Sequence, residues 1–558
     1  MRKAWTCAAL AALLAATAPQ RAAPASALFP SAGAEIASRA DAIASARAFI
    51  GSSTPTTPDA MATWLRRYDA LLVELQRHDI YVYLRAEEDD RDTADAGADD
   101  ALGSLQNRLD DRVVAAARTL GQVTIARWTM AKSLAPYRYL LESSLAAGAH
   151  RLSAADARSV DAAITPILTA AARTYKALRA SSPAIAERQD AFAALLVSIA
   201  AANNGLAVLR GFSGAPQASY FDKSLAPESV ERALRAVRAS TAYAAYRKVS
   251  QLARTPLQTP PPIPLGRAAE LIVDAAKPMG PQYAAAYAAL TSPANGRLEI
   301  CTSEHCDKTG FSLGFVGVPS IVFYAGYDGS TNSARALSHE SGHAVHREFM
   351  SQHQNIAAYN EGPHFLFESF AIFNELLFLE HLYRTAASNS DRAFYLDSFL
   401  GDATFQVFGS AEETDLESAI YRGVADGSLR TAEDFNGLTV RTFSVYDPTV
   451  SADAGAKLYW ARDRLFFTDP LYDVNYLYAG LLALRYFAAF ERDPRGFSPR
   501  YVAFLKNGFD DSPAVLEKRF LGIDLNNEPA LVASADALLK GRTSVLAALY
   551  AQEAPVKR

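Results

Sequence analysis

The sequence predicts a mainly α-helical protein with one small antiparallel sheet. Apolar residues recur every three to four positions along most of the 558 residues, which is the period of an amphipathic helix. Three short runs rich in β-branched or aromatic residues, separated by glycine and proline, interrupt this pattern and predict strands. These runs are Arg297–Cys301, Phe311–Val316 and Ser320–Tyr324. Half of the residues are hydrophobic, which fits a globular protein, and the net charge of −5 provides no general attraction to nucleic acid.

The N-terminal residues 1–27 have the pattern of a signal peptide. Arg2 and Lys3 precede an apolar run, and Ala25-Ser-Ala27 has the small-x-small form of a cleavage site. The apolar run is too short for a transmembrane helix, which needs about 20 residues. We therefore expect an exported protein, periplasmic or secreted, without stable membrane association.

The remaining chain is predicted to form two parts. Residues 28–225 are expected to form an N-terminal helical lobe, and residues 226–558 a second domain that carries the candidate chemistry. The segment 255–264 contains five prolines and predicts an extended connection, followed by a helix from Gly266 to about Ala276.

Two cysteines, Cys301 and Cys306, remain after the predicted leader is removed. A disulfide across the short loop between them is the favoured interpretation for an exported protein. His305 lies between the two cysteines and allows a metal site as a weaker alternative.

The strongest chemical motif is the HExxH pattern formed by His339, Glu340 and His343. Residues four apart on a helix project from one face, so both imidazoles can bind a single zinc ion. Glu340 is then placed to act as a general base. A third ligand is needed, and Glu368 is predicted because it lies in a strongly apolar helical run, where a carboxylate must be paired, protonated or metal-bound. Glu375 lies on the same helical face and is expected to support the ligands. The other carboxylates considered as the third ligand are Glu348, Glu361 and Glu380.

These residues resemble the thimet oligopeptidase and oligoendopeptidase F zinc peptidases, and the match to oligoendopeptidase F is closer. The resemblance is strongest over residues 298–380, which contain the HExxH motif and Glu368, and returns over residues 472–480. It implies a clam-like helical fold with a deep channel, in which the small sheet lies next to the HExxH helix. It also implies one Zn²⁺ per chain and a zinc-dependent endopeptidase that hydrolyses short unfolded oligopeptides.

The same resemblance implies a role for C-terminal tyrosines. The family uses tyrosines in this region to donate hydrogen bonds to the oxyanion of the tetrahedral intermediate. Tyr476 and Tyr478 match best, and Tyr472 is the third candidate. The family usually places a histidine a few residues ahead of them, but residues 464–470 contain none, and no histidine follows His381.

Several alternatives stay open at the level of sequence. A carboxypeptidase or dipeptidase of the same family, or a non-catalytic peptide-binding derivative, would carry the same motifs. Ser312 lies in a G-x-S-x-G pattern, but that motif needs a strand followed by a helix, and the residues after Ser312 are β-like. The glycine-rich segment 314–317 is expected either to offer a strand edge to substrate or to serve local folding. The oligomeric state is not predicted.

The other histidines of this region are assigned lesser roles. His346 belongs to the family pattern and is expected to pack in the helix or to support the site. His353 and His364 are expected to be surface or structural residues.

Overall fold

The computed structural model describes residues 28–553, with gaps at residues 90, 182–184, 252–258, 293–294, 304, 307–309, 448 and 451–454. The predicted signal peptide, residues 1–27, lies outside the described residues. The protein is mainly helical, as predicted. In the described residues the α-helices are α1 Ala32–Ile50, α2 Pro58–Glu88, α3 Thr93–Trp128, α4 Arg138–Gly148, α5 Ala154–Ala163, α6 Thr165–Ser181, α7 Gln189–Leu209, α8 Ala215–Asp222, α9 Pro227–Arg238, α10 Ala242–Ser250, α11 Leu265–Ala276, α12 Pro281–Thr291, α13 Thr331–His353, α14 His364–Thr385, α15 Asn389–Thr404, α16 Ser410–Asp426, α17 Ala432–Tyr446, α18 Tyr459–Arg462, α19 Leu465–Thr468, α20 Asp473–Arg492, α21 Pro494–Asn507, α22 Pro513–Leu521 and α23 Glu528–Glu553.

The sheet has three strands, which are β1 (Leu298–Cys301), β2 (Gly310–Phe315) and β3 (Val318–Ala325). The strands β2 and β3 form the antiparallel pair that the sequence predicts. β1, however, pairs with β3 in parallel, so the sheet is mixed. The tight turn at Gly317, where φ is +74°, places β2 on one edge of β3, and β1 takes the other edge and runs in the same direction as β3. Cys301 and Cys306 form the predicted disulfide in the loop after β1.

Helix α14 lies at the centre of the largest hydrophobic core. Every residue from Phe365 to Glu380 is buried, because α11, α13, α15 and α20 pack around it. A helix that is apolar on all sides is stable only when it is covered on all sides. Any polar group between Phe365 and Glu380 is therefore held inside the protein by packing.

The other core clusters join distant parts of the chain. Helices α1–α4 pack together with β2 and β3. Helices α6 and α7 pack against residues between 416 and 467. Helices from both sides of residue 225 thus share clusters, and the division at 225/226 stays a prediction.

One stretch, Ile185–Leu209, is long and apolar enough to cross a membrane by length and composition. A single stretch of this kind is weak support for a membrane span. Phe192, Leu196 and Ile199 of this stretch are buried in a core cluster shared with α16 and α17.

Candidate active site

Helix α13 places the HExxH residues beside the sheet. Its N-terminus is capped by Ser330, whose Oγ accepts a hydrogen bond from the Ser333 N–H at 3.0 Å. The helix continues without interruption through His339, Glu340 and His343, so both imidazoles lie on one face. The two rings are 4.8 Å apart between centroids and nearly perpendicular.

Glu368 of α14 joins these two histidines. Its Oε2 atom lies 3.4 Å from Nε2 of His339 and 3.7 Å from Nε2 of His343. Zinc–ligand distances of about 2.0–2.2 Å place neighbouring ligand atoms of a tetrahedral site about 3.3–3.6 Å apart. Oε2 of Glu368 is also buried without a hydrogen-bond donor among the described residues. The two imidazoles and this carboxylate therefore fit a zinc ion with three protein ligands and one open position.

A chain of polar contacts holds His339 at its Nδ1 atom, on the side away from Glu368. Oε1 of Glu375 lies 2.5 Å from Nδ1 of His339, which leaves the Nε2 atom to face Glu368. Oε2 of Glu375 is 2.5 Å from Nη1 of Arg335, and the same Nη1 atom is 2.9 Å from Asp402 on α15. The sequence identified Glu375 but gave no signal for Arg335 and Asp402, because their contact joins elements far apart in the chain.

The electrostatics separate the roles of the buried carboxylates. Burial raises the pKa of Glu340 to about 7, against the opposing effect of His339. Burial would also raise the pKa of Glu368, but contacts with His339, His343 and Tyr472 hold it at about 2. Burial lowers the pKa of His343 to about 3, so this imidazole is neutral, as a metal ligand must be. Glu340 is thus poised to accept a proton near neutral pH, while Glu368 stays ionised.

The structure brings two of the three candidate tyrosines to the site. The hydroxyl of Tyr472 donates a hydrogen bond to Oε1 of Glu368 at 3.0 Å. Tyr476 lines the same cavity as His339 and Glu340, and burial raises its pKa, which keeps the hydroxyl protonated as a donor.

The prediction for Tyr478 needs correction. Its side chain is fully buried in the core and packs on Phe365, with 5.7 Å between ring centroids. Two residues along a helix correspond to a turn of about 200°, so Tyr476 and Tyr478 face opposite sides of α20. Tyr472, four residues before Tyr476, lies on the site side instead. The spacing of two residues between Tyr476 and Tyr478 already contains this signal, because a helix turns by about 100° per residue.

The histidines outside the motif divide into two groups. His346 is buried among Phe367, Phe370 and Phe509 and serves packing, and Nδ1 of His353 lies 3.0 Å from the Phe349 carbonyl oxygen, which is a local structural contact. His364 differs from both.

His364 is exposed at the start of α14, and its ring centroid lies 5.8 Å from that of Tyr472. A histidine therefore does stand beside the tyrosines in space, although none precedes them in the chain. The sequence could not show this, because the two residues are brought together by the packing of α14 against α20.

A cavity of about 490 Å³ gives access to the site. The cavity is lined by Arg335, Ala336, His339, Glu340, Glu375, Phe405, Gln406, Glu413, Tyr459, Arg462, Asp463, Arg464, Leu465, Asp473 and Tyr476. Its volume is in the range of sites for small ligands and short peptide segments.

The structure argues against Ser312 as a catalytic nucleophile. Ser312 lies in the middle of β2, paired in register with Val322, and not on a turn between a strand and a helix. The glycines next to it have a local reason: a Cβ atom at position 314 would lie 2.6 Å from Oγ of Ser320. β2 is an edge strand of the sheet, and a Cβ atom on Gly310 would meet the Glu340 side chain at 3.1 Å. Substrate pairing with this strand stays a prediction.

Comparison with known proteins places this geometry in a family. Residues 307–535 match the model of peptidase family M3. Oligoendopeptidase F, chromosomal, from Lactococcus lactis subsp. cremoris is 28% identical over 112 residues, which are 20% of this chain and 18% of that protein. The aligned region thus spans less than a fifth of that relative.

Solved structures share the fold over almost the whole chain. A provisionally assigned peptidase from Chlamydophila abortus superposes with a TM-score of 0.76 at 18% identity, covering 96% of this chain and 99% of that one. Oligoendopeptidase-F from Enterococcus faecium superposes with a TM-score of 0.62 at 19% identity, covering 93% and 98%. The resemblance to the oligoendopeptidase F group is confirmed by these comparisons, and the part of the chain that matches the model of peptidase family M3 is residues 307–535.

Proposed function

We propose that this protein is a zinc-dependent endopeptidase that hydrolyses internal bonds of short unfolded oligopeptides. The observation that supports the proposal is the meeting of His339, His343 and Glu368, whose ligand atoms all lie within 4.8 Å of one another. Glu340 and Tyr476 line the same cavity as His339, so a base and a hydrogen-bond donor stand beside this ligand set.

Each side chain has a separate task in the proposed reaction. Zinc, when bound, would polarise the scissile carbonyl group and make the attacking water more acidic. Glu340 takes the proton from that water and returns it to the leaving amine, as its raised pKa favours. Tyr476 donates a hydrogen bond to the oxyanion that develops on the substrate. Glu375 holds His339 in the orientation in which Nε2 faces the ligand set.

The fold holds the proposed metal-binding side chains in position before the metal binds. Glu368 is fixed by burial within α14 and by the Tyr472 hydroxyl. A ligand held in this way requires little reorganisation when the metal binds, which supports tight binding of zinc.

A peptide library tests the proposal. The full chain and the Glu340→Gln variant are each loaded with zinc and incubated with peptides of mixed length, and products are identified by mass spectrometry. We expect internal cuts in short peptides by the wild type, roughly 10³-fold slower in the variant, with zinc content unchanged by elemental analysis. The size of this loss follows from removing the general base of the reaction.

The cleavage pattern also decides between the remaining alternatives. Release of residues from the C-terminus without internal cuts would indicate a carboxypeptidase instead, and cleavage of dipeptides alone would indicate a dipeptidase. Zinc-loaded wild type that binds peptides but cuts none would refute catalysis and favour a peptide-binding derivative.

We also propose that the protein is exported. The signal-peptide pattern of residues 1–27 and the Cys301–Cys306 disulfide support an oxidising compartment. N-terminal sequencing of the protein from the periplasm or medium should begin near residue 28, whereas a chain that starts at Met1 in the cytoplasm would contradict export.

A further inference from the structure

Part of the cavity wall is formed by three carboxylates that the proposed reaction does not use. Glu413 lies on α16, Asp463 directly after α18 and Asp473 at the start of α20. One carboxylate oxygen from each residue lies within 4.8 Å of the others, and all three residues line the cavity that contains His339 and Glu340. We call Glu413, Asp463 and Asp473 the acidic pocket.

The acidic pocket has no basic partner in the described part of the chain. No Lys, Arg or His nitrogen among these residues lies within 4 Å of its carboxylates. Arg462 and Arg464 also line the cavity, but both are exposed, and Arg464 is bound to Asp469 at 3.0 Å. Among the described residues, the three carboxylates are thus held together without a directly paired cation, although Arg464 acts on Asp463 and Asp473 from a greater distance. Such an arrangement is costly unless a cation binds or protons are taken up.

The hydrogen bonds within the acidic pocket leave acceptors unused. Glu413 accepts a hydrogen bond from the Tyr459 hydroxyl, and Asp463 accepts one from the Leu465 N–H at 2.9 Å. Asp473 is only 1% exposed, and its Oδ2 atom has no donor among the described residues. Burial and the neighbouring carboxylates raise the pKa of Asp473, with Arg464 acting in the opposite direction.

An independent feature of the same cavity also points to a donor-rich ligand. Residues Phe405–Gly409 form a π-helical turn, a distortion that is frequent at functional sites. This turn brings Gln406 to the cavity wall, where its Oε1 atom is buried without a donor among the described residues. Phe405, next to it, is 54% exposed and lines the cavity as well. The turn packs closely on Gly480, where a Cβ atom would meet Gln406 at 2.9 Å.

These groups together define the chemistry of the occupant. The wall offers carboxylate and amide acceptors beside an exposed aromatic ring, so the matching ligand is a cation with several N–H donors. An arginine side chain has five such donors and a planar face that stacks on aromatic rings, and a lysine side chain has three donors. A bare metal ion would use the carboxylates but would gain nothing from Phe405.

We propose that the acidic pocket is a specificity subsite that binds an arginine or lysine side chain of the peptide substrate. The inference rests on the proposed function, since it assumes that the cavity holds a peptide. It adds that peptides with a basic residue at one fixed distance from the scissile bond are preferred.

Binding to an inactive variant tests the subsite separately from catalysis. Peptides with arginine at successive positions are compared with the same peptides carrying citrulline, which has the same shape without the charge, by calorimetry on zinc-loaded Glu340→Gln protein. At one position we expect arginine to bind at least tenfold tighter than citrulline. Adding Asp473→Asn or Glu413→Gln should reduce this ratio to about one, whereas adding Glu142→Gln, an exposed acid on α4, should leave it unchanged.

Two acidic-pocket variants are used so that the test still works if one of them fails to fold. Each replaces a carboxylate by an amide of the same shape, and circular dichroism confirms which of them is folded. Equal binding of arginine and citrulline peptides at every position would overturn the proposal. Stoichiometric Ca²⁺ binding that is lost in Asp473→Asn would overturn it as well, because the occupant would then be a metal. If wild-type protein cuts no peptide but the arginine preference in binding persists, the proposed function fails and the subsite stands.

Discussion

Gly342 provides a sharp test of how the two helices of the site are joined. This glycine lies within the HExxH motif on α13, at the point where α14 crosses. A Cβ atom at this position would lie 3.0 Å from the backbone Cα of Ala371 and 2.9 Å from Nδ2 of Asn374. Asn374 cannot turn away freely, because its Oδ1 atom accepts a hydrogen bond from the Tyr283 hydroxyl at 2.9 Å.

The magnitude of the Gly342→Ala effect follows from these distances. Ordinary carbon contacts need about 3.5–4.0 Å, so α13 and α14 must separate by roughly 0.5–1 Å. Overpacking of this kind costs about 1–3 kcal/mol, while replacing glycine by alanine within a helix gains about 1 kcal/mol. We therefore expect a net loss of about 0–2 kcal/mol in the free energy of unfolding of the metal-free protein.

The separation matters more for metal binding than for stability. His339 and His343 belong to α13 and Glu368 belongs to α14, so moving the helices apart stretches the ligand set itself. Zinc sites tolerate about 0.2 Å of error in ligand distance. We expect the zinc affinity of Gly342→Ala to fall at least tenfold, measured by competition with a chromogenic chelator.

A second glycine provides the control for Gly342→Ala. A Cβ atom added at Gly205 on α7 would meet no other group within 4 Å, so Gly205→Ala should gain up to about 1 kcal/mol in stability and keep the wild-type zinc affinity. If Gly342→Ala behaved like Gly205→Ala in both measurements, the reasoning from helix contact to metal affinity would be refuted.

Three further predictions concern individual side chains. Glu375→Gln should weaken zinc binding about 10–100-fold in the same competition assay, because the charge that orients His339 is lost; unchanged affinity would contradict this role. Tyr476→Phe should lower kcat about 10²–10³-fold with little change in KM, while Tyr478→Phe should leave kcat unchanged, and equal loss in both variants would contradict the assignment. Burial raises the pKa of Glu517 from 4.5 to about 8, so its contribution to stability is full below pH 4.5 and is lost as the pH rises through about 8. Urea unfolding from about pH 5 to 9 should therefore show a smaller fall in stability for Glu517→Gln than for the wild type, and parallel curves would argue against it.

The ligand set was predictable from sequence because its signals are local. His339 and His343 are placed on one face by helix geometry alone, and Glu368 is marked by its apolar surroundings within a single helix. The difference between Tyr476 and Tyr478 is also local, since their spacing of two turns them to opposite sides of α20, but the resemblance alone did not separate them. The contact of His364 with Tyr472, in contrast, depends on how α14 and α20 pack.

The same argument applies to the sheet and to the acidic pocket. The sequence predicted three strands, but neither the edge of β3 that a strand reaches nor the direction in which it runs is a local property, so the parallel pairing of β1 was missed. The carboxylates of the acidic pocket are contributed by three separate elements between residues 413 and 473, with no spacing that marks them as one group. The sequence alone therefore could not predict that these three carboxylates lie together.

The burial of Phe365–Glu380 in α14 has a consequence for motion. A helix packed on all sides exposes its amide hydrogens to exchange only when the whole core opens, so α14 should be among the slowest-exchanging parts of the protein. The segment between Ala456 and Tyr472 is built instead from single helical turns, including α18 and α19, so we expect its amides to exchange faster than those of α14. The proposed metal ligand Glu368 is thus held by the slowly exchanging core, while this part of the cavity wall consists of shorter elements. Hydrogen exchange should show peptide binding as protection within this segment, with exchange in α14 unchanged.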